Sequence, residues 1–169
     1  RLKNMVTVGI RLQAYEWVDE FLHRYRDRLL PAYQEDAYCL NLASLRYAQG
    51  QASAALQLLQ QVEFHDVFYD LSARSLLLKL YFENDEDAAL TFLLETFRRF
   101  LHRNYAISQF QRDIHLNLLR FTRKLYRLRE QKDLLTGDVF QQRLQQLKEK
   151  MMSTEVANRS WLAEQMSRI

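Results

Sequence analysis

Only three glycines and one proline punctuate the 169 residues of this chain. These two residues make up about 12% of an average sequence and are the usual means of turning a chain sharply. With so few turns available, the elements between them must be long. Leucine occurs 30 times against 11 valines and isoleucines together, and glutamine 15 times. Unbranched side chains keep most of their rotamer freedom in a helix, whereas β-branched ones do not. The chain therefore reads as all-α. Its length suits a single helical domain at residues 1–169.

A period organises the centre of the chain. Residues 36–69 align with 70–103 at an offset of 34, with identities at Asp36/Asp70, Leu42/Leu76, Tyr47/Tyr81, Ala54/Ala88, Ala55/Ala89, Leu56/Leu90 and Leu59/Leu93. In each copy a helix of about 14 residues ends at a residue tolerant of positive φ, Gly50 in the first and Asn84 in the second. A second helix follows, opening on paired alanines that let two antiparallel helices approach closely. Upstream, residues 12–30 read as a helix stopped near Pro31, with residues 2–8 the tail of an earlier one, so that 1–35 is a divergent hairpin. Downstream the period breaks. A helix of about 25 residues runs from an N-cap at Ser108 to Lys132, with an apolar seam of Ile107, Phe110, Ile114, Leu118, Phe121, Leu125 and Leu128. Two capping helices follow, one carrying Phe140, Leu144, Leu147 and Met151 and the other Trp161, Leu162, Met166 and Ile169, so that 104–169 closes the stack.

The 34-residue period, the Leu42–Ala43 pair, the turn at Gly50, and Ala55, Leu59 and Val62 together resemble the tetratricopeptide repeat (TPR). The second copy differs at Leu77, Asn84 and Thr96, and Val67 and Leu101 stand where the family ends each repeat on proline. The resemblance implies a right-handed α-α superhelix of stacked antiparallel hairpins that binds a protein or peptide partner on its concave face. That face is lined by the first helix of each hairpin, here Leu40, Asn41 and Ser44 from one copy and Arg74, Ser75 and Leu78 from the next. Family members that clamp a peptide carboxylate use Lys, Asn and Arg at such positions. Asn41 and Arg74 match in type, whereas the leucines favour an apolar or mixed groove.

Charge marks a second surface. The formal net charge is only +3, yet residues 120–132 hold six basic side chains (Arg120, Arg123, Lys124, Arg127, Arg129, Lys132) against Glu130. On a helical wheel Arg112, Arg120, Arg123 and Arg127 fall within about 80° of one another, opposite the apolar seam. This patch supports an alternative reading, a nucleic-acid-associated or regulatory module using the basic face of helix 108–132. No aromatic side chain interleaves the arc to stack on bases. The acidic cluster Glu83, Asp85, Glu86 and Asp87 suits the start of a helix, where carboxylates complement the dipole.

Catalytic and metal signatures are missing from the sequence. His23, His65, His102 and His115 are scattered, without the paired spacing of a helical zinc site. Cys39 has no partner thiol, which suits a reducing, cytoplasmic setting and the role of a small apolar residue. Gly9, Gly50 and Gly137 are too far apart to form a phosphate loop. The chain reads as non-enzymatic, with no cofactor, metal or catalytic residue assigned. No apolar run approaches the ~20 residues that span a bilayer, so no membrane insertion is expected. A start at Arg1 rather than Met suggests a piece of a longer chain. The aromatic trio Phe64, Phe68 and Tyr69, at the junction between the copies, either fills the wedge between them or lines an exposed groove.

Overall fold

A computed structural model describes all residues 1–169, and every regular element in it is helical. The elements are α1 (Leu2–Arg11), α2 (Tyr15–Tyr25), α3 (Pro31–Ala48), α4 (Ala52–Gln61), α5 (Val67–Glu83), α6 (Asp87–Arg103), α7 (Gln109–Glu130), α8 (Gly137–Met152) and α9 (Arg159–Arg168), with short 3-10 turns at Arg26–Arg28 and Lys132–Leu134. The chain divides into two compact units, Arg1–Leu90 and Thr91–Ile169, with the division falling inside α6. No helix is long and apolar enough to cross a membrane.

In the first unit the chain turns three times by the same device. A left-handed residue follows each of α1, α3 and α5: Gln13 (φ 56°), Gly50 (φ 75°) and Asp85 (φ 54°). The residue after each reaches back five positions with its N–H, Ala14 to the carbonyl of Gly9, Gln51 to that of Arg46 and Glu86 to that of Tyr81. This is the hydrogen bond that closes a helix whose next residue is left-handed. Burial follows the same frame. Seven residues before each left-handed position lie Val6, Ala43 and Leu78; five after it lie Val18, Ala55 and Leu90; nine after it lie Leu22, Leu59 and Leu94, and all nine are buried.

Two expectations are corrected here. The second left-handed residue is Asp85, not Asn84, whose φ is −98°. The turns at Gly50 and Asp85 are therefore 35 residues apart, one more than the spacing that aligns the identities, and those at Gln13 and Gly50 are 37 apart. The upstream helix is also shorter than residues 12–30, because Gln13 takes the left-handed conformation and α2 starts at Tyr15. Pro31 does not stop that helix but opens α3 at its first turn, where a missing N–H costs nothing.

Helix α3 packs against α1, α2, α4 and α5. One side joins Tyr38, Cys39, Leu42 and Leu45 to Val6, Val18, Phe21 and Leu22. The other joins Leu40 and Ala43 to Ala55, Leu59, Ala73, Leu76 and Leu80. Burial, then a hydrogen bond to Glu35, push the Cys39 thiol up to about 12, so it stays protonated as a small core side chain.

In the second unit α7, α8 and α9 pack on one another around Leu118, Phe121, Leu125, Leu144, Leu147, Met151 and Leu162. Ser108 caps α7 by accepting the Gln111 N–H, and Thr136 caps α8 by accepting that of Val139. The α7 seam holds at Ile107, Leu118, Phe121, Leu125 and Leu128, but Phe110 in the first turn is 59% exposed. Trp161 is buried in α9.

Gly9 sets the spacing of the first hairpin, since a Cβ there would stand 2.4 Å from the Val18 Cγ2. Val18 is fully buried, so α2 must shift to admit a methyl group. Overpacking of this kind costs about 1–3 kcal/mol. We expect Gly9→Ala to lower the denaturant midpoint of unfolding accordingly, although alanine is the better helix former; an unchanged or higher midpoint would refute the close approach.

Candidate functional site

The six residues expected to line a concave groove do not form one. Leu40, Asn41, Ser75 and Leu78 are buried, at 4%, 4%, 8% and 0% exposure. Leu40 belongs to the core beside Ala43 and Leu59. The polar members turn inward on their own helices: Asn41 Nδ2 donates to the Ala37 carbonyl at 2.7 Å, Ser44 Oγ to that of Leu40 at 2.9 Å and Ser75 Oγ to that of Leu71 at 3.0 Å. Half-buried Arg74 pairs with Asp70 at 2.8 Å. Burial raises the Asp70 carboxyl above its ordinary range, and the Arg74 charge works against that rise. A partner can thus reach only Ser44 and Arg74 of the six.

An apolar open groove of the first unit lies instead one to two turns nearer the starts of the same helices. It encloses about 500 Å³ and is lined by Lys3 of α1, Leu29 and Leu30 of the connection, Tyr33 and Ala37 of α3, and Asp66, Phe68, Tyr69 and Ser72 at the start of α5. Leu30 is 70% exposed, Tyr33 44% and Phe68 55%. Three large apolar side chains thus stand in water around one hollow, a clustering that single exposed residues elsewhere, such as Leu12 and Leu134, do not show. Burial, then the nearby carboxylates of Asp66 and Asp36, raise the Tyr69 hydroxyl, which remains a hydrogen-bond donor.

A buried carboxylate holds the groove's wall. Asp36, 2% exposed, accepts the backbone N–H of His65 at 2.8 Å and of Asp66 at 3.1 Å on its Oδ2. Asp66 in turn caps α5, its Oδ1 accepting the N–H groups of Phe68 and Tyr69 at 2.9 and 3.0 Å. This relay from α3 through the connector to α5 fixes where Phe68 stands. The exposed His65 ring lies 3.7 Å from Asp36, rather than pairing with its neighbour Asp66. Of the aromatic trio, Phe64 and Tyr69 pack against the core and Phe68 faces the groove. Sequence reading left Phe68 between core wedge and groove, and missed Tyr33, Leu30 and Lys3. Their signal was three turn-proximal positions that fit no core period.

The basic arc of α7 loses one member. Arg112 closes the preceding helix end, its Nε donating to the Leu101 carbonyl at 2.8 Å and its Nη2 to those of Asn104 at 3.2 Å and Ile107 at 3.3 Å. Arg120, Arg123, Lys124 and Arg127 are exposed. The acidic cluster is divided as well. Glu83 accepts the Tyr47 hydroxyl at 2.8 Å, linking two turns, while Asp85 is itself a turn residue. No group of three or more His, Cys, Asp and Glu side chains is placed to hold a metal ion.

No protein-family model, characterised protein or solved structure matches this chain.

Two outcomes test this account. Asp36→Ala strips two backbone N–H groups of a charged acceptor, worth about 1.5–3 kcal/mol each before compensation by water. We expect a fall of about 3 kcal/mol in unfolding free energy, with faster hydrogen exchange at His65 and Asp66; protection unchanged at both amides would refute the relay. His115 is buried beside Phe97, its Nδ1 2.7 Å from the Gln111 carbonyl, and burial lowers its pKa. The unfolded chain takes up a proton near pH 6.5 and the folded chain only below that. The contribution of His115 is thus full above pH 6.5 and is lost as pH falls below it. Between pH 7.5 and 5.5 the melting temperature should fall more in the parent than in His115→Phe; parallel profiles would contradict this.

Proposed function

We propose that residues 1–90 form a non-catalytic, TPR-like stack of helical hairpins that binds a short extended segment of a protein partner in the groove of Leu30, Tyr33 and Phe68. One observation carries this reading. The groove is built by the first helices of successive hairpins, α1, α3 and α5, where a TPR-like stack presents its concave face, and its exposed side chains are apolar and aromatic. Such side chains are the ones that dominate binding energy when a partner covers them. The relay from Asp36 keeps the groove in place before binding, so little ordering entropy opposes association.

The partner's chemistry follows from the lining. An apolar or aromatic anchor enters between Tyr33 and Phe68, and the peptide backbone meets the Tyr69 hydroxyl and Ser72. The unit holds 9 Lys and Arg against 13 Asp and Glu, a formal charge of −4. That sign favours a segment whose anchor is flanked by basic residues.

The reading is tested by selecting displayed peptides on the 169-residue chain and measuring their affinity for variants. Phe68→Ala and Tyr33→Ala alter exposed side chains, so the melting temperature should hold while affinity falls about 10-fold or more for each. Selected peptides that bind both variants as tightly as the parent would place the binding surface elsewhere.

A further inference from the structure

The two compact units differ sharply in charge. Residues 91–169 hold 15 Lys and Arg against 8 Asp and Glu, a formal charge of +7, whereas the first unit is negative. Part of that excess gathers on one face. Arg120, Arg123 and Arg127 are exposed along α7. Lys124 beside them lines a shallow groove of about 590 Å³ with Arg143, Gln146 and Lys150 of α8. No carboxylate pairs with any of the three α7 arginines, and Arg143 reaches only the Gln131 side chain at 3.4 Å. Glu149 is the acidic residue on the groove, and Gln145 donates to it. At the ends of the face, Asp113 accepts from Gln109 and Glu130 from Tyr126.

We propose that this α7–α8 face binds the phosphate backbone of a double-stranded nucleic acid, independently of its sequence. Six cations held on two packed helices form a surface of fixed shape, and the partner must supply repeated negative charge. Arg120, Arg123 and Arg127 span about 10 Å at 1.5 Å rise per residue, a length that takes in about three phosphates of one strand. Neither helix exposes a large apolar side chain between Arg120 and Arg127 or between Arg143 and Lys150. A folded acidic protein is usually held around an apolar centre, and binding to a lipid surface is strengthened by apolar insertion. A phosphate backbone needs neither. The face likewise has no aromatic platform for unstacked bases, which favours a duplex over a single strand.

The test uses the whole chain and a fluorescein-labelled 20-base-pair DNA of mixed sequence. Four to six neutralised phosphates predict a log–log salt slope of about −4 to −5, so that affinity falls 100-fold or more between 50 and 200 mM salt. Combined Arg120→Gln, Arg123→Gln and Arg127→Gln should weaken binding at least 10-fold and lower the slope by about 3, with the melting temperature unchanged. Arg143→Gln with Lys150→Gln, on the other helix, should lower it by about a further 2. No binding at 50 mM salt, or a slope the variants leave unaltered, would overturn the proposal. Preferential capture of a poly-glutamate peptide or of phosphatidylserine vesicles that the DNA does not displace would overturn it too.

Discussion

The first unit rests on a helix that has almost no outer side. Nine of the ten residues from Asp36 to Leu45 in α3 are buried, because α1, α2, α4 and α5 pack around it. A helix enclosed in this way cannot be amphipathic, and each polar residue it carries must find its partner inside. Asn41 and Ser44 do so on their own backbone, while Asp36 reaches the connector ahead of α5. That carboxylate is the costly member, since a buried charge without donors would be strongly unfavourable. Its two backbone donors offset the cost, and the same bonds set the start of α5 and hence the position of Phe68. Core packing and groove geometry are thus consequences of one arrangement.

This enclosure also shows where sequence reading works and where it stops. Helical class and the turn at Gly50 follow from local chemistry, because few residues accept a positive φ and leucine-rich segments favour helices. Asn84 and Asp85 are adjacent and both tolerate that conformation, so composition alone does not choose between them. The identities at a spacing of 34 track apolar positions, whereas the turn bonds of these two copies lie 35 apart. Asp85 wins because its place, not its type, falls where the five-residue bond from Glu86 closes. Gln13 carries no signal at all, being an ordinary helix former that nonetheless takes the left-handed conformation at the end of α1.

The site residues fail for a related reason. A helical wheel assumes a face toward water, and on that assumption Asn41 and Arg74 look like ligands for a partner. In α3 and α5 the middle of the helix lies against neighbours on several sides, so the accessible positions are those of the first turns, Tyr33, Phe68 and Tyr69. A wheel also treats each helix alone. Arg112 shares its arc with Arg120, yet the unsatisfied carbonyls at the end of α6 lie within its reach and draw the guanidinium inward. Phe68 was legible only as one of two alternatives, because an aromatic residue just after a connector can either turn into the wedge or stay in water, and its neighbours decide which.

The two exposed surfaces are governed by different physics, and this bears on how one chain could serve both. Apolar anchoring at Tyr33 and Phe68 depends on area removed from water and is nearly indifferent to dilute salt. Attraction at Arg120, Arg123 and Arg127 depends on released counterions and weakens steeply as salt rises. Charge of opposite sign on the two units extends the distinction to encounter, because a polyanion is drawn to residues 91–169 and repelled by residues 1–90. A cationic apolar segment experiences the reverse. If both proposals hold, ligands of the two classes would be sorted before contact, and neither would have to be excluded by shape.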